Sequence, residues 1–244
     1  MSALRIERDG HVLRVTIDKP ERRNAFDAEL IRELTEAFSD VGDARAVLLA
    51  GEGESFCAGA DIEWQRSSID LSYEENVEDA LRLYEMLATI DGCPAPVVAW
   101  IQGYCLGGGC GLAACADIAL AAEDATFGFS EVKLGIIPAV ISPFVLAKIG
   151  PGAARRYVLT GERFGSDVAL RIGLVGEIAP NADHVVEELL SSGPAAVREA
   201  KRILRPDPGD GRDLAELAAR MRTSDEGQDG LRAFLERRKP GWTI

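Results

Sequence analysis

Two segments of this chain follow one plan. Ala46-Val-Leu-Leu-Ala50 is apolar throughout, and so is Pro96-Val-Val-Ala-Trp-Ile101. Each run leads into a loop of small residues, Phe56-Cys-Ala-Gly-Ala-Asp61 in the first and Leu106-Gly-Gly-Gly-Cys-Gly111 in the second, and then into a helical stretch. A strand that is apolar on both faces must be covered on both faces, which selects a parallel, layered α/β arrangement with right-handed crossovers.

The other elements fit that alternation. Val12 to Ile17 alternates like a strand, and Asp18 to Asn24 breaks it. A helix follows, marked by Leu30, Ile31, Leu34 and Phe38. Ser72-Tyr-Glu-Glu75 has the form of a capping box and predicts a helix through Leu81, Tyr84, Leu87 and Ile90. Asp117 to Ala122 predicts a strand, and Thr126 to Phe129 a shorter one. Ser142-Pro143 reads as a helix N-cap with proline at the first helical position. Beyond about residue 180 only helices are expected, punctuated by Pro206 to Gly211. The division expected is a core over 1–185 and a C-terminal helical region over 186–244. No repeat of fixed period is visible.

Composition narrows the function. With 244 residues and 47% hydrophobic content the chain can bury a large core. Twenty-seven Lys plus Arg against 40 Asp plus Glu leave a net charge of −13, the wrong sign for a nucleic-acid surface. No apolar run approaches the ~20 residues of a membrane helix. The N-terminal MSALRIERDG carries no signal-peptide core, so the expected location is cytoplasmic. The five cysteines lack metal-site spacing and read as small buried residues, and no metal is expected. Neither His11 nor His184 has an obvious nucleophile beside it.

The two loops and one carboxylate carry the chemistry. Free N–H groups at a helix start point outward, and small residues let a ligand approach that backbone. Two such loops face to face would supply two donors to one developing oxyanion. Tight strand–helix packing, which also favours Gly and Ala, is the other reading. There is no GxxxxGK[ST], no G-x-G-x-x-G after the first strand and no G-x-S-x-G. Downstream, Glu131 stands among apolar and small residues in Phe127 to Pro138. Desolvation there would raise its pKa towards that of a general acid or base. The alternative is a surface glutamate paired with Lys133. Spacing alone does not bring Glu131 to the loops.

In this order the motifs resemble those of the crotonase, or enoyl-CoA hydratase/isomerase, superfamily. The matching segments are Ile17-Asp-Lys-Pro-Glu-Arg-Arg-Asn24-Ala, Ser55 to Asp61, Gln102 to Gly109, Ala116-Asp117-Ile-Ala, Phe127 to Pro138, Gly173-Leu-Val and Ala233 to Trp242. The resemblance implies a spiral of ββα turns with a C-terminal helical region, homotrimers or dimers of trimers, and an acyl-CoA substrate. Coenzyme A would arrive as part of that substrate, with no other cofactor. Carried over by motif, Ala60 and Gly108 donate the two N–H bonds to the thioester oxygen, and Glu131 is the acid/base. Lys19, Arg22 and Arg23 lie in the segment resembling the CoA-contacting one, although a solvated charged turn explains them equally. Ala58, Ile62, Gly107, Gly111 and Pro138 are further substrate-site candidates. Asp61 either fixes its loop or meets the adenine side of the ligand.

Hydratases of the family use a second glutamate where this chain has Gly111. Three outcomes stay open. One is a hydratase, resembling bacterial methylglutaconyl-CoA hydratases, with Arg66 as partner for a distal carboxylate. A second is a Δ3,Δ2-enoyl-CoA isomerase, which needs one carboxylate. The third is a different thioester reaction, such as decarboxylation or C–C cleavage; outside catalysis stands a non-catalytic acyl-CoA-binding protein.

Overall fold

The computed structural model describes residues 2–205 and 209–243. Strands β1 (Leu4–Asp9), β2 (Val12–Ile17), β3 (Ala46–Gly51), β5 (Val97–Ile101), β7 (Ile118–Ala121) and β10 (Glu177–Ile178) form one sheet in that order. A second sheet runs β4 (Ser55–Cys57), β6 (Tyr104–Leu106), β8 (Thr126–Gly128), β9 (Arg163–Gly165). All pairings are parallel except β1 with β2 and β8 with β9.

The chain climbs as a spiral. Each turn lays one strand in the large sheet and one in the small sheet, then returns. The first turn is β3, β4 and the return helix α3 (Tyr73–Gly92), preceded by the short α2 (Ile62–Ser67). The second is β5, β6 and α4 (Gly108–Cys115), and the third is β7, β8 and α5 (Ser142–Thr160). Helix α1 (Ala28–Ser39) connects β2 to β3.

The apolar runs are explained by their two faces. Val47, Leu49, Val97 and Ala99 point into the main core. Leu48, Val98 and Leu120 point the other way, into a smaller cluster closed by Ala182 and Val186. Val186 belongs to α7 (Asp183–Ser191). Buried Arg45 ties this layer down by donating to the carbonyls of Leu190, Ser192 and Trp242. Helices α6 (Ser166–Arg171), α8 (Pro194–Ile203), α9 (Gly211–Thr223) and α10 (Asp225–Glu236) complete the chain.

Several local expectations change. Ser72 and Glu75 do form the capping box. Leu81 and Tyr84 on that helix are substantially exposed, however, while Met86, Leu87 and Ile90 are buried. Helix α5 starts at Ser142 itself, with Ile141 at the N-cap and Pro143 at the second helical position. The Ser142 hydroxyl donates back to Ala139 O instead of capping. Of the Pro206–Gly211 punctuation, residues 206–208 lie outside the described residues. The polar β1, LRIERD, was not expected as a strand; it is an edge strand with five of its six residues exposed.

Candidate active site

The site begins with Asn24. Its backbone is left-handed (φ 56°), a conformation Asn tolerates better than most residues. Its buried amide donates to the carbonyls of Glu52 and Ser55, and its side-chain oxygen accepts from Lys19 N. These bonds pin the β2–α1 connection to the β3–β4 turn and deliver Phe26. Phe26 N donates to Gly59 O at 2.7 Å, and Asp61 N donates to Phe26 O at 2.8 Å. Ala60 therefore sits in a parallel bridge with Phe26. In that pattern the N–H of Ala60 points away from Phe26.

The second loop packs on the first. A Cβ on Gly109 would lie 2.3 Å from Cys57 O, so only glycine permits this approach. Gly107 has φ +50° and donates to Gly128 O. Gly108 opens α4, where helix N–H groups have no intrahelical acceptor. Among the described residues, neither Ala60 N–H nor Gly108 N–H has a protein acceptor.

Both residues line a cleft of about 200 Å³. Phe26, Trp64 and Leu83 line it together with Leu134 and residues 136–141. Glu131 stands on a 3-10 turn, Glu131–Leu134, over Gly107. A Cβ on Gly107 would be 2.9 Å from its Oε1. Its Oε2 is buried without a hydrogen-bond partner. Burial raises its pKa above the usual carboxylate value. It makes no ion pair with Lys133, whose stem packs near Gly161. Among the described residues lining the cleft, Glu131 is the only ionisable one. The fold thus brings one basic carboxylate and two unsatisfied N–H donors to one apolar cleft.

A family model described as enoyl-CoA hydratase/isomerase matches residues 7–244. The chain belongs to the enoyl-CoA hydratase/isomerase family. It is 33% identical to the crotonyl-CoA hydratase of Syntrophomonas wolfei, over 96% of this chain and 95% of that one. It is 30% identical to the short-chain-enoyl-CoA hydratase of Clostridium acetobutylicum, over 96% of this chain and 95% of that protein. The crystal structure of an enoyl-CoA hydratase from Shewanella pealeana superposes with a TM-score of 0.92 at 38% identity, covering 98% of this chain and 96% of that one. The match to crotonase-fold structures agrees with the mixed α/β spiral described above.

Other expected site residues divide in this enoyl-CoA hydratase/isomerase family member. Ala58, Gly107 and Pro138 line the cleft. Asp61 holds its loop: it caps α2 by accepting from Glu63 N and Trp64 N, and it pairs with Arg22. Arg22 also reaches Glu63, and Arg23 lies over the Tyr104 ring at 5.4 Å. Lys19 pairs with Asp27, the N-cap of α1. Three further expected residues lie outside the cleft lining. Ile62 is 74% exposed and outside the lining. Arg66 is exposed on α2 and also outside it, although its neighbours Trp64 and Gln65 face the cleft. Gly111 is buried and does not reach the cleft: a Cβ there would meet Ile141 Cγ2 at 2.7 Å. Cys105, Cys110 and Cys115 are buried, and none of them lines the cleft.

Sequence reasoning missed Phe26, Trp64 and Ile141 as cleft residues. Phe26 and Ile141 read as ordinary core, and only their loop positions, beside Asn24 and after Pro138, hinted otherwise.

Proposed function

We propose that this protein adds water to a short 2-enoyl-CoA thioester. The observation that carries the reading is Glu131, among the described residues the sole ionisable side chain of a cleft that also presents the Ala60 and Gly108 N–H groups. Glu131 takes a proton from water as the water oxygen bonds to C3. The electron pair of the double bond moves onto the thioester oxygen, where the two N–H groups hold the enolate. The protonated Glu131 then gives its proton to C2, so the net change is one water added. Desolvation makes Glu131 a stronger base than a solvated carboxylate.

The same lone carboxylate favours a second reading, Δ3,Δ2-isomerisation, in which Glu131 takes a proton from C2 and returns it at C4. A methylglutaconyl-CoA substrate would need a cation for its distal carboxylate. Among the described residues the lining offers none, which favours an uncharged acyl group. Phe234 and Leu235 on α10 are about four-fifths exposed, which supports assembly into trimers or dimers of trimers.

The test is incubation of purified protein with crotonyl-CoA, a 3-enoyl-CoA and methylglutaconyl-CoA, following enoyl-thioester absorbance and product mass. Loss of absorbance with gain of one water supports hydration. Gain of absorbance from the 3-enoyl-CoA at constant mass replaces it with isomerisation. Turnover of methylglutaconyl-CoA alone would overturn the uncharged acyl group.

A further inference from the structure

The cleft meets a second apolar space across a wall one residue thick. That space is a groove of about 520 Å³ beside α5, lined by Phe129, Val145 and Val158 among others. Among the described residues, only Pro138 and Ile141 line both the cleft and the groove. Ile141 is 3% exposed. Its Cγ2 occupies the space over Gly111, and Leu87 lies on the same position, 3.5 Å from where a Gly111 Cβ would be. The side chain is therefore wedged from below by α4 and α3. Pro138 has a fixed φ, so this side of the wall is stiff as well.

We infer that Ile141 sets the acyl-chain length, by blocking passage from the cleft into the groove. The inference rests on the acyl-thioester reading of the same cleft. Gly111 follows Gly108 by three residues, an advance of ~4.5 Å along α4, roughly the length of a four-carbon chain. A butyryl group held at Ala60 and Gly108 fits in front of the wall. An octanoyl group runs into a buried isoleucine backed by Gly111 and Leu87. With the wall removed, the same chain enters a groove lined mostly by apolar side chains, with Ser142 and Arg155 the polar exceptions.

The experiment is calorimetric titration with butyryl-CoA and octanoyl-CoA, saturated ligands that bind without turnover. The native protein is expected to bind butyryl-CoA at least tenfold more tightly, the order of discrimination a close apolar wall gives. Ile141→Ala is expected to shift the ratio at least tenfold towards octanoyl-CoA. Ile141→Val shifts it the same way by less. Octanoyl-CoA binding to the native protein as tightly as butyryl-CoA, or a folded Ile141→Ala variant with an unchanged ratio, overturns the wall while leaving the acyl-CoA reading intact. If the alanine variant does not fold, the native ratio and the valine variant decide. Failure of the native protein to bind either ligand overturns the acyl-CoA reading, and the wall with it.

Discussion

The ring of Phe26 lies against the Cα of Gly108, so close that a Cβ there would stand 2.8 Å from Cε2. One residue thus supports both proposed donors: its ring meets Gly108, and its backbone bridges Ala60. Gly108→Ala must push the ring or the loop aside. A displacement of ~1 Å at such a site costs about 10²-fold in rate. Steady-state kcat/KM on crotonyl-CoA checks this, with circular dichroism as the control for folding.

Ala60→Pro removes the other donor without the Phe26 clash, since Ala60 already carries a Cβ. The loss of one oxyanion donor is expected to lower kcat by ~10²–10³, with saturated acyl-CoA affinity retained within a few-fold. An unchanged kcat would remove Ala60 from the proposed oxyanion hole.

Glu131→Gln is expected to lower turnover by ~10²–10⁴, the range for a lost general acid–base group. It should leave butyryl-CoA affinity nearly unchanged. Single-turnover absorbance and calorimetry measure the two separately.

The same variant has a stability signature. The folded pKa of Glu131 is raised above its ordinary 4.5 by desolvation. Between that value and the raised one, the native state holds more proton than the unfolded state, so stability falls as pH rises through the window. Above the raised value the cost of the buried carboxylate is fully present; below 4.5 it is absent. Glu131→Gln is therefore expected to melt at a higher temperature than the native protein at pH 8. The difference should shrink as pH falls towards 4.5. A melting-temperature series across pH reads it, and a variant that melts lower at pH 8 would contradict it.

Gly111→Glu cannot be accommodated as the fold stands, because Ile141 Cγ2 occupies the space its Cβ needs. Overpacking costs ~1–3 kcal/mol or more. The single variant should lose stability in urea, and adding Ile141→Gly should restore part of it. Equal losses in the single and double variants would mean the clash lies elsewhere.

Asn24→Ala removes three hydrogen bonds, one buried and two partly buried, from a left-handed residue. It is expected to cost ~2–4 kcal/mol, since each unsatisfied buried group costs ~1–3. Denaturant midpoints check this.

Much of the fold was legible where an element is long enough to show its period. β2 runs Val12 to Ile17 as its alternation implies, and the Ser72–Glu75 box starts α3. Two of the short strands, β4 and β6, were not legible, although the equally short β8 was expected over Thr126 to Phe129. β4 and β6 have three residues each, too few to alternate. The spiral also hid its repeat. β3, β5 and β7 begin at residues 46, 97 and 118, so successive turns differ widely in length and no fixed period exists.

The sequence by itself determined the layered α/β plan, the acidic surface, the two small-residue loops and the presence of one carboxylate where two were expected. These follow from local pattern and composition. Only the tertiary structure decided that Glu131 overlies Gly107, that Phe26 joins the two loops, that Arg66 and Ile62 miss the cleft, and that Ile141 fills the space over Gly111. Each of these depends on how successive turns of the spiral stack. Residues far apart in the chain meet there through packing, and no local pattern encodes which side chain ends above which glycine.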